Sequence, residues 1–365
     1  MTVGTITFHF VNNFGGALQA YALQKAVADE CKAEVEVIDY RNWFIRFTDT
    51  VRLLPVTTNL EEFISGLKTM KQRFRRVRRM KKFIGSNCKL TRRYSNALSL
   101  RYNAPDCDKF ICGSDQIWNP FLTCGLAEPY FLGFVKGKQK KISYAPSFGS
   151  SKRLLPIQAK KIKKYLSDYS DISVREQDGV MFIKSLLGRN ALQLIDPTFL
   201  LEKEEWNNVA VKPKIKGKYI LLYIMQRDEG VYDYARKIKE KLGNDIQLVE
   251  ISRYGYKPDF VDVSLIDLGP GEFIGLFQNA DYICTNSYHG LVFSLIFEKE
   301  FCLVPCKRFY ARISNLLELL HIEISDVLNG ETLSACYNKE LVRDKIAIER
   351  EKAFSYLKKN LLEEG

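Results

Sequence analysis

Tyr282-Ile283-Cys284-Thr285-Asn286-Ser287-Tyr288-His289-Gly290, followed by the apolar run Leu291–Phe297, decides the reading of this chain. An apolar segment stops at a polar turn, and the turn opens at once into a helix. A strand that feeds a helix in this way is the building unit of parallel α/β folds. The turn carries a hydroxyl, an imidazole and a glycine at a helix start. Backbone N–H groups lack intrahelical partners there, and the helix dipole favours anions. His289 is one of only three histidines in 365 residues.

The same alternation runs outward in both directions. Strands are expected at Thr5–Phe10, Val35–Asp39, Lys109–Cys112, Lys141–Ala145, Asp171–Val174, Gln193–Ile195, Tyr219–Met225, Ile246–Glu250, Tyr282–Thr285 and Phe301–Val304. Helices are expected at Gly16–Cys31, Pro156–Tyr169, Asp228–Leu242, Gly271–Asn279, Ile313–Leu320 and Asn338–Glu363. Alternation of this kind argues for parallel sheets covered on both faces. At roughly 150 residues per domain the length suggests two. Pro197, and Pro213 in the lysine-rich stretch Val211–Lys218, place the boundary between about Asp196 and Lys218. The expectation is an α/β chain of two Rossmann-like domains facing across a cleft. Residues 1–200 form the first, residues 201–335 the second, and a terminal helix in 336–365 returns to the first.

A chain that is 46% apolar and 12% aromatic can fill two cores, which excludes a disordered protein. Met1–Phe10 has no basic stretch of the signal-peptide kind, and no run of about 18 apolar residues could span a membrane. The nine cysteines are scattered without a CxxC pair, and HExxH and EF-hand patterns are absent. Reduced, buried thiols in a cytoplasmic protein are expected, with no metal or other cofactor.

The net charge of +12 is local. No Asp or Glu occurs between Phe63 and Pro105, while thirteen basic residues do, leaving the rest of the chain at −1. Leu60, Phe63, Leu67, Met70, Phe74, Val77 and Ile84 fall at helical spacing, with Lys71, Arg73, Arg75, Arg76, Arg78, Arg79 and Lys82 between them. This is a basic helical insertion of the first domain, over about residues 60–100, that packs its apolar stripe inward. Its basic side suits solvent, a lipid-linked diphosphate, or an anionic membrane surface through Lys68–Arg79. No nucleic-acid motif accompanies it, so nucleic acid is not an expected partner.

Ligands of open α/β sheets sit beyond the carboxyl ends of the strands. Asn12-Asn13-Phe14-Gly15-Gly16 follows the first strand and reads as a tight turn or a substrate contact. In Gly113–Pro120, Ser114 or Asp115 could cap the next turn. The same stretch could bind a sugar, with Trp118 stacked on a pyranose and Asp115 and Gln116 on hydroxyls. Ser147 lies in the hydroxyl-rich turn Ser143–Gly149. Arg175 follows a short strand and either pairs with Glu176 or meets a carboxylate or phosphate. His9, between Phe8 and Phe10, reads as packed, and His321 as a helix C-terminal contact. His289 is the strongest candidate, and Lys307, Arg308 and Arg312 downstream suit a small anionic substrate.

Asn12–Leu23 (NNFGGALQAYAL), Gly113–Pro120 (GSDQIWNP), Tyr144–Gly149 (YAPSFG), Ser173–Gly179 (SVREQDG), Asp196–Leu201 (DPTFLL) and Thr285–Gly290 (TNSYHG) occur in this order. So arranged, they resemble the polysaccharide pyruvyl transferase family, over about residues 4–322. The resemblance implies a GT-B-like fold and transfer of pyruvate from phosphoenolpyruvate to a sugar. The product would be a cyclic ketal on a bacterial capsule, exopolysaccharide or wall polymer, often while lipid-linked, with release of phosphate. Such an enzyme is expected in the cytoplasm, and a peripheral position on the inner membrane face rests separately on the basic stretch Lys68–Arg79. His289 would be its general acid or base, and Arg175 a partner for the donor anions. Asn286, Ser287, Gly290, Lys307 and Arg312 would bind the donor, Arg312 being favoured because it opens a helix. Asn12, Asn13, Gly15, Ser114, Asp115, Gln116, Trp118 and Ser147 would face the acceptor. The alternatives are a GT-B glycosyltransferase using a nucleotide sugar, for which Gly269-Pro270-Gly271 is the nearest glycine run, and a non-catalytic module that binds acidic glycans.

Overall fold

Short apolar strands and the helices between them build two parallel sheets and a small third one. The structure, a computed structural model, describes residues 1–51, 53–54, 60–150, 154–226, 228–243, 245–252, 257–304, 310–323 and 337–363. It divides into two units. The first comprises residues 1–50, 81–201 and 347–365, and the second residues 51–80 and 202–346.

In the first unit β1 (Thr2–Ile6), β2 (Glu34–Val37), β3 (Lys109–Cys112) and β4 (Lys140–Ser143) lie in the order β2-β1-β3-β4. All pairs are parallel, with Val3 opposite Val35 and Lys109, and Lys109 opposite Lys140. β5 (Ser173–Val174) and β6 (Leu192–Gln193) form a separate parallel pair. Helix α1 (Phe14–Cys31) is buried at every position from Phe14 to Gln24, as a helix enclosed by its own unit must be. Helix α2 (Trp43–Val51) follows β2, and α3 (Leu60–Asn87) begins in the second unit. Helices α4 (Pro156–Leu166) and α5 (Gln177–Leu187) flank the small sheet's first strand in sequence.

The second unit contains β7 (Tyr219–Tyr223), β8 (Gln247–Ile251), β9 (Val263–Leu265), β10 (Tyr282–Thr285) and β11 (Phe301–Leu303) in the parallel order β11-β10-β7-β8-β9. Central β7 reads YILLY and is buried throughout, which suits a strand covered on both faces. Its helices are α6 (Glu229–Leu242), α7 (Pro270–Asn279), α8 (Tyr288–Ile296) and α9 (Tyr310–Leu319). The last helix, α10 (Lys339–Leu362), joins the first unit from Ala347 onward. There Tyr356 Oη donates to Ser143 O at 2.9 Å, and Lys109 Nζ donates to Leu361 O at 2.7 Å, meeting the carbonyls a helix end leaves open.

Both larger sheets reverse their strand order in the interior, between β1 and β3 in one and between β10 and β7 in the other. A reversal leaves a crevice at the carboxyl edge where ligands of such sheets bind. The two turns singled out in sequence, Asn12–Gly16 and Thr285–Gly290, follow β1 and β10 at these reversals.

Three expectations about the elements are corrected, and one strand had not been expected at all. Strand β1 ends at Ile6 rather than Phe10, because its pairing with β2 and β3 runs out there. The edge strand β9 was too short and too exposed to carry a signal. Residues 51–80 group with the second unit, not the first, since Arg75 pairs with Asp267 at 2.9 Å and Arg79 with Glu272 at 3.0 Å. The stripe on this helix is split: Leu60, Phe63, Leu67 and Phe74 face out while Arg73 and Arg76 lie inside, and only Met80, Phe83 and Ile84 toward the C-terminal end are buried as expected. The seven described cysteines are all free, and Cys306 and Cys336 lie outside the described residues. Among the described residues no helix is long and apolar enough to cross a membrane.

Candidate functional site

The turn after β10 is held by its own side chains. Thr285 Oγ1 donates to Tyr223 O across the reversal at 2.6 Å and accepts from Ser287 N at 3.1 Å. Asn286 Oδ1 accepts from Met225 N at 2.8 Å, and its Nδ2 donates to Gln226 O at 2.6 Å. Asn286 is therefore a clamp between the ends of β10 and β7. Its amide is spent on the backbone, and a donor-binding role is withdrawn. Gly290 is required for the same packing: a Cβ there would lie 2.1 Å from Thr285 Oγ1.

Helix α8 starts on this platform. Ser287 occupies the cap position with extended backbone and makes no side-chain capping bond, and the first turn holds no acidic residue. His289 is buried within that turn, edge-on to Tyr288 at 5.2 Å. The guanidinium of Arg312, in the first turn of α9, sits 5.8 Å from the Tyr288 ring, a cation–π distance. Arg312 is partly exposed. The second unit thus brings together an imidazole, a hydroxyl, a helix N-terminus and a guanidinium, which can hold an anion and move a proton beside it. Lys307 and Arg308 lie outside the described residues. His321 is exposed past the end of α9, with a positive φ of 56°.

The turns of the first unit form a ladder. Thr7 Oγ1 donates to Ser114 O, Ser114 Oγ to Ala145 O, and Ser143 Oγ to Ser173 O, at 2.7, 2.7 and 2.8 Å. Arg175 N donates to Pro146 O at 3.2 Å. Asp115 and Ala145 hold positive φ of 69° and 51°, which costs strain that the ladder must offset.

This ladder overturns several assignments. Trp118 is fully buried, stacked on Phe131 at 5.2 Å, with Nε1 donating to Tyr130 O at 3.0 Å, so its face is closed to a pyranose. Ser114 is fully buried in its bond to Ala145, and Ser147 Oγ accepts from Gly149 N at 3.0 Å. Arg175 is 3% exposed and bonds Glu176 and Asp196 at 2.9 and 2.8 Å, a buried guanidinium balanced by two carboxylates rather than one turned to a donor. Asn13 caps α1 by accepting from Gly15 N at 3.0 Å. Asp115 Oδ1 accepts from Gln116 N at 2.8 Å. Partly exposed among these residues are Asn12, whose buried Oδ1 has no hydrogen-bond partner among the described residues, Asn13, and Gln116, whose Oε1 accepts from Asn119 Nδ2 at 2.8 Å.

A cationic cluster at the same edge escaped the sequence reading. His9 Nδ1 faces Thr7 O at 3.2 Å and Nε2 faces Asp39 Oδ1 at 3.0 Å. Arg41 adds a two-pronged contact to Asp39 at 2.7 and 3.0 Å, and Arg93 a third at 3.3 Å. Burial alone would raise the Asp39 pKa, but hydrogen bonds and charges from His9 and Arg41 hold it well below the usual carboxylate range. Two guanidiniums and an imidazole share one carboxylate. Asp39 closes a predicted strand, so a search of strand ends could have found it; Arg93, far off in sequence, gave no signal. Among the described residues no group of three or more His, Cys, Asp and Glu is placed to hold a metal ion.

The fold is similar to that of a Listeria monocytogenes protein assigned as a UDP-N-acetylglucosamine 2-epimerase, with TM-score 0.51 and 11% identity over 100% of this chain and 97% of that one. The S. aureus MnaA–UDP co-structure is similar at TM-score 0.50 and 13% identity, over 98% and 91% of the two chains. At such identities the likeness shows a shared fold, GT-B-like and built on two Rossmann-like sheets. Among curated proteins none matches this chain significantly in sequence. The family model for polysaccharide pyruvyl transferase matches residues 13–308, from the turn after β1 through His289 and beyond, and the chain belongs to that family.

Proposed function

We infer that this pyruvyl transferase draws its pyruvyl group from phosphoenolpyruvate and sets it as a cyclic ketal on two hydroxyls of a lipid-linked sugar. The observation that carries this reading is His289 in the first turn of α8 with the Arg312 guanidinium one ring away. Phosphoenolpyruvate bears a phosphate and a carboxylate, and the α8 N-terminus with Ser287 and the arginine suit those two anions.

In the reaction, the donor's methylene carbon takes a proton and C2 gains positive character. A sugar hydroxyl adds to C2 and loses its proton. The C–O bond to phosphate breaks, and inorganic phosphate leaves with that bond's electron pair. A second hydroxyl then adds, loses its proton and closes the ketal. One proton ends on the new methyl group and the other on phosphate. His289 is the group suited to pass them, since an imidazole titrates near neutral pH. This chemistry needs no metal.

The Asp39 cluster supports an acceptor that carries a phosphate or diphosphate, as a lipid-linked sugar does. Arg41 and Arg93 leave it with more positive charge than Asp39 cancels. Such a substrate sets the enzyme in the cytoplasm, peripheral to the inner face of the membrane. The test is acceptor-dependent release of phosphate from phosphoenolpyruvate, with the pyruvylated glycan identified by mass. Release of a nucleotide from a sugar donor, with phosphoenolpyruvate untouched, would overturn the reading.

A further inference from the structure

The helix expected to pack its apolar stripe inward does so only toward its C-terminal end, at Met80, Phe83 and Ile84, and presents the N-terminal part of the stripe to solvent. On α3, Leu60 is 71% exposed, Phe63 40%, Ile64 41%, Leu67 46% and Phe74 52%. Steps of three and four residues along a helix stay on one face. Leu60, Phe63, Ile64, Leu67, Lys71, Phe74 and Arg78 therefore line up, apolar over the first two turns and alternating with cations after them. Lys68, Lys71 and Arg78 are exposed along or beside this line.

The opposite face fixes the rotation of the helix. Arg73 and Arg76 are buried there, with contacts to Leu53 O and Ser252 O, while Arg75 and Arg79, on the flank of the apolar line, pair with Asp267 and Glu272. The apolar line cannot turn inward without breaking these bonds. A contiguous exposed stripe of this size marks an interaction surface.

We propose that this outward face of α3 docks on an anionic lipid surface. Large apolar side chains beside lysine and arginine are the pattern of a helix lying in a membrane interface, its apolar side among the acyl chains and its cations at the headgroups. Glu61 and Glu62 are the acidic residues of this helix, and from Phe63 to its end it carries only cations beside apolar and neutral residues. A second copy of the chain fits the same face poorly. Across its C-terminal half this face carries Lys71 and Arg78 and no carboxylate, and the helix's two acids, Glu61 and Glu62, sit in its first turn, so a symmetric pair has more positive charge to oppose than negative. The docking face lies apart from His289 in sequence and rests on no assumption about the reaction.

The test is flotation of the full chain with phosphatidylcholine vesicles, with and without phosphatidylglycerol, at low and high salt. Binding is expected only to the anionic vesicles and should weaken with salt. Replacing Leu60, Phe63, Ile64 and Leu67 with serine should cut it about tenfold or more, as should Lys68→Glu, Lys71→Glu and Arg78→Glu combined. All of these side chains are exposed, so melting temperature and turnover on a water-soluble acceptor should hold in both variants. Unchanged binding in either variant, or equal binding to neutral vesicles, overturns the proposal. So does a dimer in sedimentation that the serine variant abolishes while the parent binds no vesicles.

Discussion

The carboxyl edges of the two main sheets are built from similar turns and put to different uses. In the first unit, Ser114, Trp118, Ser147 and Arg175 direct their polar groups at neighbouring turns and are buried. In the second, Thr285 and Asn286 do the stitching, while Ser287, His289 and Arg312 gather at two helix starts. Internal hydrogen bonds make an edge rigid, and a buried polar group already bonded has little to offer a ligand. The same residue types therefore act as scaffold at one edge and as the candidate reacting groups at the other.

His289→Ala should lower turnover by about two to four decades while leaving phosphoenolpyruvate binding largely intact, as read by phosphate release beside calorimetry. Turnover close to the parent's would break the comparison at its centre. Arg175→Met tests the opposite edge. It strands Glu176 and Asp196, and unfolding should become easier by about 3–5 kcal/mol in denaturant titration. A stable Arg175 variant that cannot bind donor would return this arginine to the reacting groups.

Arg312→Ala should raise the donor KM by about one to two decades, the worth of a charge-assisted contact, with a smaller change in kcat. An unaffected KM would pass the donor's charge to another cation. The smallest effect is expected from Trp118→Phe. The ring stack survives and only the bond to Tyr130 O is lost, for about 1–3 kcal/mol of stability, with acceptor KM unmoved. A raised acceptor KM would show that the indole reaches substrate after all.

Much of the fold was legible because parallel α/β units write themselves locally. Tyr282–Thr285 and Tyr219–Tyr223 are apolar runs ended by polar turns, and each was expected close to where it lies. β9 was not legible, being three half-exposed residues with no periodicity to detect. The site was legible only as a set of turns. Trp118 and Gln116 are two residues apart and equally polar in setting, yet one is sealed in the core and the other partly exposed.

What the sequence determined by itself was the α/β class, the order of turns that marks the family, and the placing of His289 at a helix start. All of these depend on neighbours along the chain. Tertiary structure alone decided which turns share an edge, that Arg175 meets Asp196, that Arg93 joins His9 at Asp39, and which side of α3 faces out. Those depend on contacts between distant segments. Helical spacing on α3 shows that a face exists, but which face the protein buries is set by Asp267, Glu272 and the carbonyl of Ser252, which the helix meets only after folding.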